Sequence, residues 1–272
     1  MRAAPVLAKQ AAFLRKGLLL DSSYRAAFVL RLLGGLLPLV FFFFLDRLVN
    51  ANDPRLARYG GDYFAFVAVG VALTQYFATA FGACIKDVRN AQMSGVLEAT
   101  LSTRTSPLAV VIHGALYQYA FAFVHFAIVL LASVALFGLD LSGANVPLFA
   151  VGLAGSLAAF LGLSVASAGI LIHTKSAEPV QLLLGGLSFF LAGAYFPISV
   201  FPAWLRALSA VIPMTHALEV LRGALLTGAS FGDVARPLAL LGALALVTLL
   251  SGALVLGWAL ARARRDGSLG QY

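Results

Sequence analysis

The chain is 272 residues long, 61% hydrophobic and only 11% charged, with a formal charge of +8. A soluble domain of this length carries about a quarter charged residues, and it cannot hide so much apolar surface from water. An aqueous globular fold is excluded, and the one cysteine, Cys84, excludes an internal disulfide and thiolate metal clusters.

Residues 1–24 open the chain with a helical pattern. Leu7, Ala11, Leu14 and Leu18 share one face while Arg2, Lys9 and Lys16 recur on the other, which suits a helix lying in the cytoplasmic interface with its lysines near lipid phosphates. Six apolar stretches follow, each near the 20 or so residues that a membrane-spanning helix needs. They are Ala26–Leu45, Tyr63–Ala83, Ala109–Phe137, Pro147–Ile172, Val180–Phe196 and Leu238–Leu260. The runs are continuous, as in AIVLLASVALF at 127–137, and not alternating as in an outer-membrane barrel. The first lacks a small-residue cleavage site and is expected to be retained as a span.

Span one ends in the run Phe41–Phe44, and a turn is expected at Asn52-Asp53-Pro54. Span two carries Thr74, Gln75 and Tyr76 near its middle, a polar trio expected to face other helices or a water-filled path. The polar segment 86–107, KDVRNAQMSGVLEATLSTRTSP, separates spans two and three. Span four has Ala158, Gly162 and Ala166 at four-residue spacing, a stripe that permits close helix packing. Residues 197–236 form neither a span nor a plain loop. Phe201–Ile212 and Met214–Thr227 are short amphipathic pieces broken by Pro202 and Pro213, expected to dip into the outer interface, with Glu219 and Arg222 paired one turn apart.

Charge placement gives an orientation. With the amino terminus inside, thirteen of the nineteen Lys and Arg fall on inside segments with five acids, and outside segments hold six of each sign. The positive-inside rule then puts both termini in the cytoplasm, and the basic excess is a topology signal and not a nucleic-acid footprint. None of the four lysines closes a phosphate-binding loop, and no H-E-x-x-H occurs. The spans hold no acid in their interiors, which disfavours ion-coupled transport by a carboxylate relay. Gly228-Ala229-Ser230-Phe231-Gly232 fits the G-x-S-x-G pattern with His216 nearby, but no strand precedes it, as a nucleophile elbow requires.

Gly95-Val96-Leu97-Glu98-Ala99-Thr100-Leu101-Ser102-Thr103, closed by Ser106-Pro107, resembles the first cytoplasmic loop of the type 2 ABC-transporter permeases. Tyr195-Phe196-Pro197-Ile198, Pro202-Ala203-Trp204-Leu205, Pro213-Met214-Thr215-His216-Ala217 and Leu221-Arg222-Gly223 resemble the same family's end of span five and the segment after it. Arg104 departs from the pattern, where a smaller or uncharged residue is expected. The resemblance implies an all-α membrane protein, a single permease domain over 1–272 with six transmembrane helices. It also implies a cytoplasmic coupling helix in 86–107, an N-terminal interfacial helix, and short extracytoplasmic re-entrant or interfacial helices between spans five and six.

It further implies a homodimeric or pseudo-dimeric permease in the bacterial inner membrane, bound to two separate ATPase subunits. ATP and magnesium belong on those partners, with no cofactor in this chain. Gly95, Leu97, Glu98, Thr100, Leu101 and Pro107 would couple to the ATPase, Leu97 and Leu101 forming a ridge in its groove. Alternatively, the segment packs against the protein's own helix ends. Phe44, Gln75, Tyr76, Phe189, Phe190 and Tyr195 are candidates to line a path for an amphiphile: a drug-like molecule, a lipid or a lipid-linked glycan. The competing functions are an intramembrane serine hydrolase using Ser230 and His216, and a passive channel or scaffold.

Overall fold

The computed structural model describes residues 10, 14–15, 17–19, 25–48, 56–97, 106–176, 179 and 181–266. The expected interfacial helix at 1–24 and the turn at 52–54 lie outside them for the most part. All regular structure among the described residues is helical: α1 Arg25–Gly34, α2 Leu36–Asp46, α3 Tyr63–Met93, α4 Pro107–Phe137, α5 Val146–Thr174, α6 Gly186–Leu191, α7 Ala203–Ser209, α8 Pro213–Leu226 and α9 Ala235–Arg265.

The long helices start where the sequence supplies caps. Asp62 Oδ1 accepts the Ala65 N–H at 3.1 Å, Ser106 Oγ that of Ala109 at 3.3 Å, and Asn145 Oδ1 that of Leu148 at 3.1 Å. Pro107 and Pro147 follow two of these caps, in the first turn, where a missing N–H costs nothing. Five helical stretches are long and apolar enough to cross a membrane: Phe28–Asp46, Tyr63–Met93, Pro107–Phe137, Val146–Thr174 and Ala235–Arg265. These correspond to the expected spans one to four and six. The first is interrupted for one residue at Gly35, because Pro38 has no N–H for the Gly34 carbonyl.

The expected fifth span, Val180–Phe196, differs from the structure. A π-helical turn, Gln181–Gly185, runs into α6, and the helix stops at Leu191. Those 11 residues rise about 16 Å, half the hydrocarbon thickness of a bilayer. Gly193, at φ +77°, takes the chain out of the helix, and an irregular stretch leads through Pro197 to a short 3-10 turn at Ile198–Val200.

α3 is the central helix, buried along most of its length and packed against α2, α4, α5 and α8. α5 and α9 form the most extensive helix pair. Their seam is the small-residue stripe: a Cβ on Gly162 would lie 2.3 Å from the Thr248 carbonyl carbon, and one on Gly252 would lie 2.4 Å from the Gly162 oxygen. The two backbones meet without side chains between them, the packing that small residues permit in membranes.

α8 was expected at the outer interface. It is instead enclosed by α3, α5 and α9, with Met214, Ala217, Leu218, Val220, Leu221 and Ala224 all 1% exposed or less. Its apolar residues run nearly all round, the pattern of a buried helix and not of one lying on a surface. Asn145 fastens it at one end. The Asn145 N–H donates to the Ala224 carbonyl at 2.7 Å, and its Nδ2 donates to that of Ala229 at 2.9 Å.

Candidate functional site

The segment joining α3 to α4 is the first candidate. α3 carries its helical hydrogen bonds past the apolar residues, through Lys86, Asp87 and Arg89, to Met93. It ends in a Schellman motif: the Val96 N–H donates to Ala91 at 3.1 Å, and the Gly95 N–H donates to Gln92 at 3.0 Å. Gly95 has φ +69°, the left-handed conformation that this stop requires. Its place in the family pattern therefore has a local cause. Leu97 is helical and 4% exposed, packed into the chain's own core. Leu97 thus meets the chain's own core, and its expected companion in the ridge, Leu101, lies outside the described residues. The exposed apolar side chains here are Met93, at 81%, and Val96. Glu98, Thr100 and Leu101 lie outside the described residues. Pro107 opens α4.

The path residues divide. Phe44, Phe189 and Phe190 are exposed, Gln75 and Tyr195 half-buried. Tyr195 stacks on Phe42 at 5.0 Å and touches Phe189 at 5.2 Å, joining α2 to the end of α6. Tyr76 is 2% exposed, with Phe126 and Phe160 rings 5.8 and 5.9 Å away. It sits inside the bundle and lines no surface.

Arg222 is the residue whose role was least visible in the sequence. The expected pair with Glu219 is not formed; Glu219 faces Arg58 at 3.6 Å. The Arg222 guanidinium turns into the core, 2% exposed, where Nε donates to the Phe66 carbonyl at 3.1 Å, Nη1 to Gly193 at 2.8 Å and Nη2 to Ala194 at 2.7 Å. It lies 3.4 Å over the Phe66 ring. The backbone that leaves α6 has carbonyls with no helical partner, and buried backbone of that kind must find one. Arg222 is that partner. Gly70 makes the approach possible, since a Cβ there would stand 2.0 Å from the Ala194 oxygen. The sequence offered Glu219 as a nearer partner on the same helix, and nothing in it pointed to the Gly193 and Ala194 carbonyls.

The serine-hydrolase constellation is not assembled. Ser230 Oγ and N–H both donate to Asp233 Oδ2 at 2.8 Å, closing the turn before α9 and holding that carboxyl below its ordinary range. His216 uses Nε2 on the Ala210 carbonyl at 2.9 Å.

The sequence matches the ABC-2 type transporter family over residues 21–226, which takes in α1 to α8 and the segment between α3 and α4. The chain belongs to that family. No curated protein matches it. As an ABC-2 permease it is a multi-pass membrane protein and a transport subunit, of a family that works in general with an ABC ATPase. The matched range includes the Gly95 helix stop, the Gly193 bend and Arg222.

Proposed function

We propose that this chain is the membrane subunit of an ATP-driven exporter, one permease domain over 1–272 working as two copies with two separate ATPase subunits. The observation that carries the reading is the continuity of α3. Its 31 residues run for about 46 Å, against a hydrocarbon core of about 30 Å. One buried helix thus joins the centre of the bundle to the polar segment 86–107 beyond it. A push at that segment moves the core as a rigid rod. ATP and magnesium act on the partner, and the 95–107 region, with Glu98, Thr100 and Leu101, receives the motion.

Charge supports the orientation. Arg262, Arg264 and Arg265 end α9, and this basic end supports a reading in which it, segment 86–107 and both termini lie in the cytoplasm of a bacterial inner membrane. The substrate is an amphiphile, and Phe44, Phe189, Phe190, Tyr195 and Gln75 line its route between two copies. Tyr76, next to Gln75, is buried against Phe126 and Phe160 in the single copy.

The burial of Leu97 determines how the test is built. Leu97→Asp puts a charge in the chain's own core and is expected to lower its melting temperature. Leu101→Asp and Met93→Asp are expected to leave melting unchanged and to abolish copurification with the ATPase. Retained copurification of both would overturn the coupling assignment. Transport in vesicles without any ATPase would favour the passive channel.

A further inference from the structure

At the end of the bundle away from segment 86–107, α7, α8, the Ala57–Tyr59 turn and the start of α9 border an open cavity of about 600 Å³, in which Arg206 and Arg236 are exposed. Three arginines line it: Arg58, Arg206 and Arg236. Two carboxylates line it as well, and both are occupied. Glu219 faces Arg58 at 3.6 Å, and Asp233 accepts both hydrogen bonds of Ser230. Among the described residues neither Arg206 nor Arg236 meets a carboxylate. The cavity therefore keeps two uncompensated guanidinium groups.

One further observation points the same way. α9, the helix whose first turn borders the cavity, has no acid in that turn and an N-cap, Val234, that offers no side-chain acceptor. The partial positive charge at the start of a long helix is thus uncancelled there by any side chain of its own first turn.

The depth of the site narrows the ligand. Trp204, Leu208 and Val211 are exposed on and after α7 beside Arg206, and Phe231 is exposed just ahead of α9. A tryptophan and aliphatic fringe of this kind rests at the membrane–water boundary, which puts the two arginines at the level of lipid headgroups. Guanidinium forks match the oxygens of a phosphate, and each charge-assisted bond exceeds a neutral one in strength. We infer that this cavity binds a phosphate-bearing ligand, with Arg206 and Arg236 as its principal donors. None of the residues proposed for the path between copies lines this cavity, and the site does not depend on the ATPase reading.

The test uses the purified full chain in detergent, stripped of lipid. Inorganic phosphate is titrated by calorimetry. In parallel, phosphatidylglycerol and diacylglycerol with the same acyl chains are offered, and retained lipid is counted by native mass spectrometry. One phosphate-bearing ligand per chain is expected, at least tenfold weaker in R206Q/R236Q and unchanged in R262Q, which alters an arginine at the other end of the bundle. Diacylglycerol is not retained. Retention of phosphatidylglycerol alone assigns a lipid headgroup, and binding of inorganic phosphate alone assigns a free anion. Should the double variant melt early, R206Q alone carries the comparison, with R206K expected to restore most binding. Equal binding by wild type and variants, or none by the wild type to either probe, overturns the site.

Discussion

Arg222 shows how far one side chain can act from its own helix. It satisfies carbonyls on α3 and on the bend after α6, residues 156 and 28 to 29 positions away. Replacing it with methionine keeps much of the volume but leaves the Gly193 and Ala194 oxygens buried without partners. A loss of roughly 3 kcal/mol is expected, read as a lower melting temperature in detergent, with Arg222→Lys recovering part of it. The spacing of Glu219 and Arg222 suggested a surface pair because residues three apart adjoin on a helix. The actual choice depends on which face is enclosed, and that is set by α3, α5 and α9. Asp233 offers a gentler case. Its carboxyl is held below the ordinary 3.8 by the two Ser230 donors. The turn it closes is therefore fully supported above that pH and loses the support as pH falls through the lowered value. Asp233→Asn is expected to reduce the melting temperature at neutral pH, and the gap from wild type is expected to shrink in acid.

At the scale of elements, the spans were legible because length and continuous hydrocarbon character are all that a crossing helix needs, and α3, α4, α5 and α9 all extend past the apolar stretches expected for them. The extension is physical: Lys86, Asp87 and Arg89 do not break a helix but carry it into water. The shortness of α6 was not legible. Val180–Phe196 has the composition of a span, and what ends the helix is Gly193 with a tertiary partner 29 residues later. Two substitutions probe these elements. Gly95→Ala forces a Cβ into the left-handed conformation that stops α3, at a cost of about 1 kcal/mol. A small fall in melting temperature and weaker copurification with the ATPase are expected together. Gly162→Leu must part the α5 and α9 backbones and is expected to cost about 3 kcal/mol or more, seen as loss of the folded species on size-exclusion chromatography.

Across the whole molecule, the described bundle has two unlike ends. One gathers the basic end of α9 and the segment after α3; the other holds the α7–α8 pair, the Asn145 ties and the arginine-lined cavity. α8 is where they are connected, because it is enclosed by α3, α5 and α9 and carries Arg222. That enclosure has a consequence for biogenesis. A nascent chain that has reached Leu191 cannot yet neutralise the carbonyls of Gly193 and Ala194 once they emerge, since their donor is still untranslated. Even after Leu226 is made, one wall of α8 waits for α9. A chain truncated after residue 228 and released into the membrane is therefore expected to be cut by protease between 193 and 212, and the finished chain to resist at the same positions, so that the fold is secured only as the last helix closes over the seam.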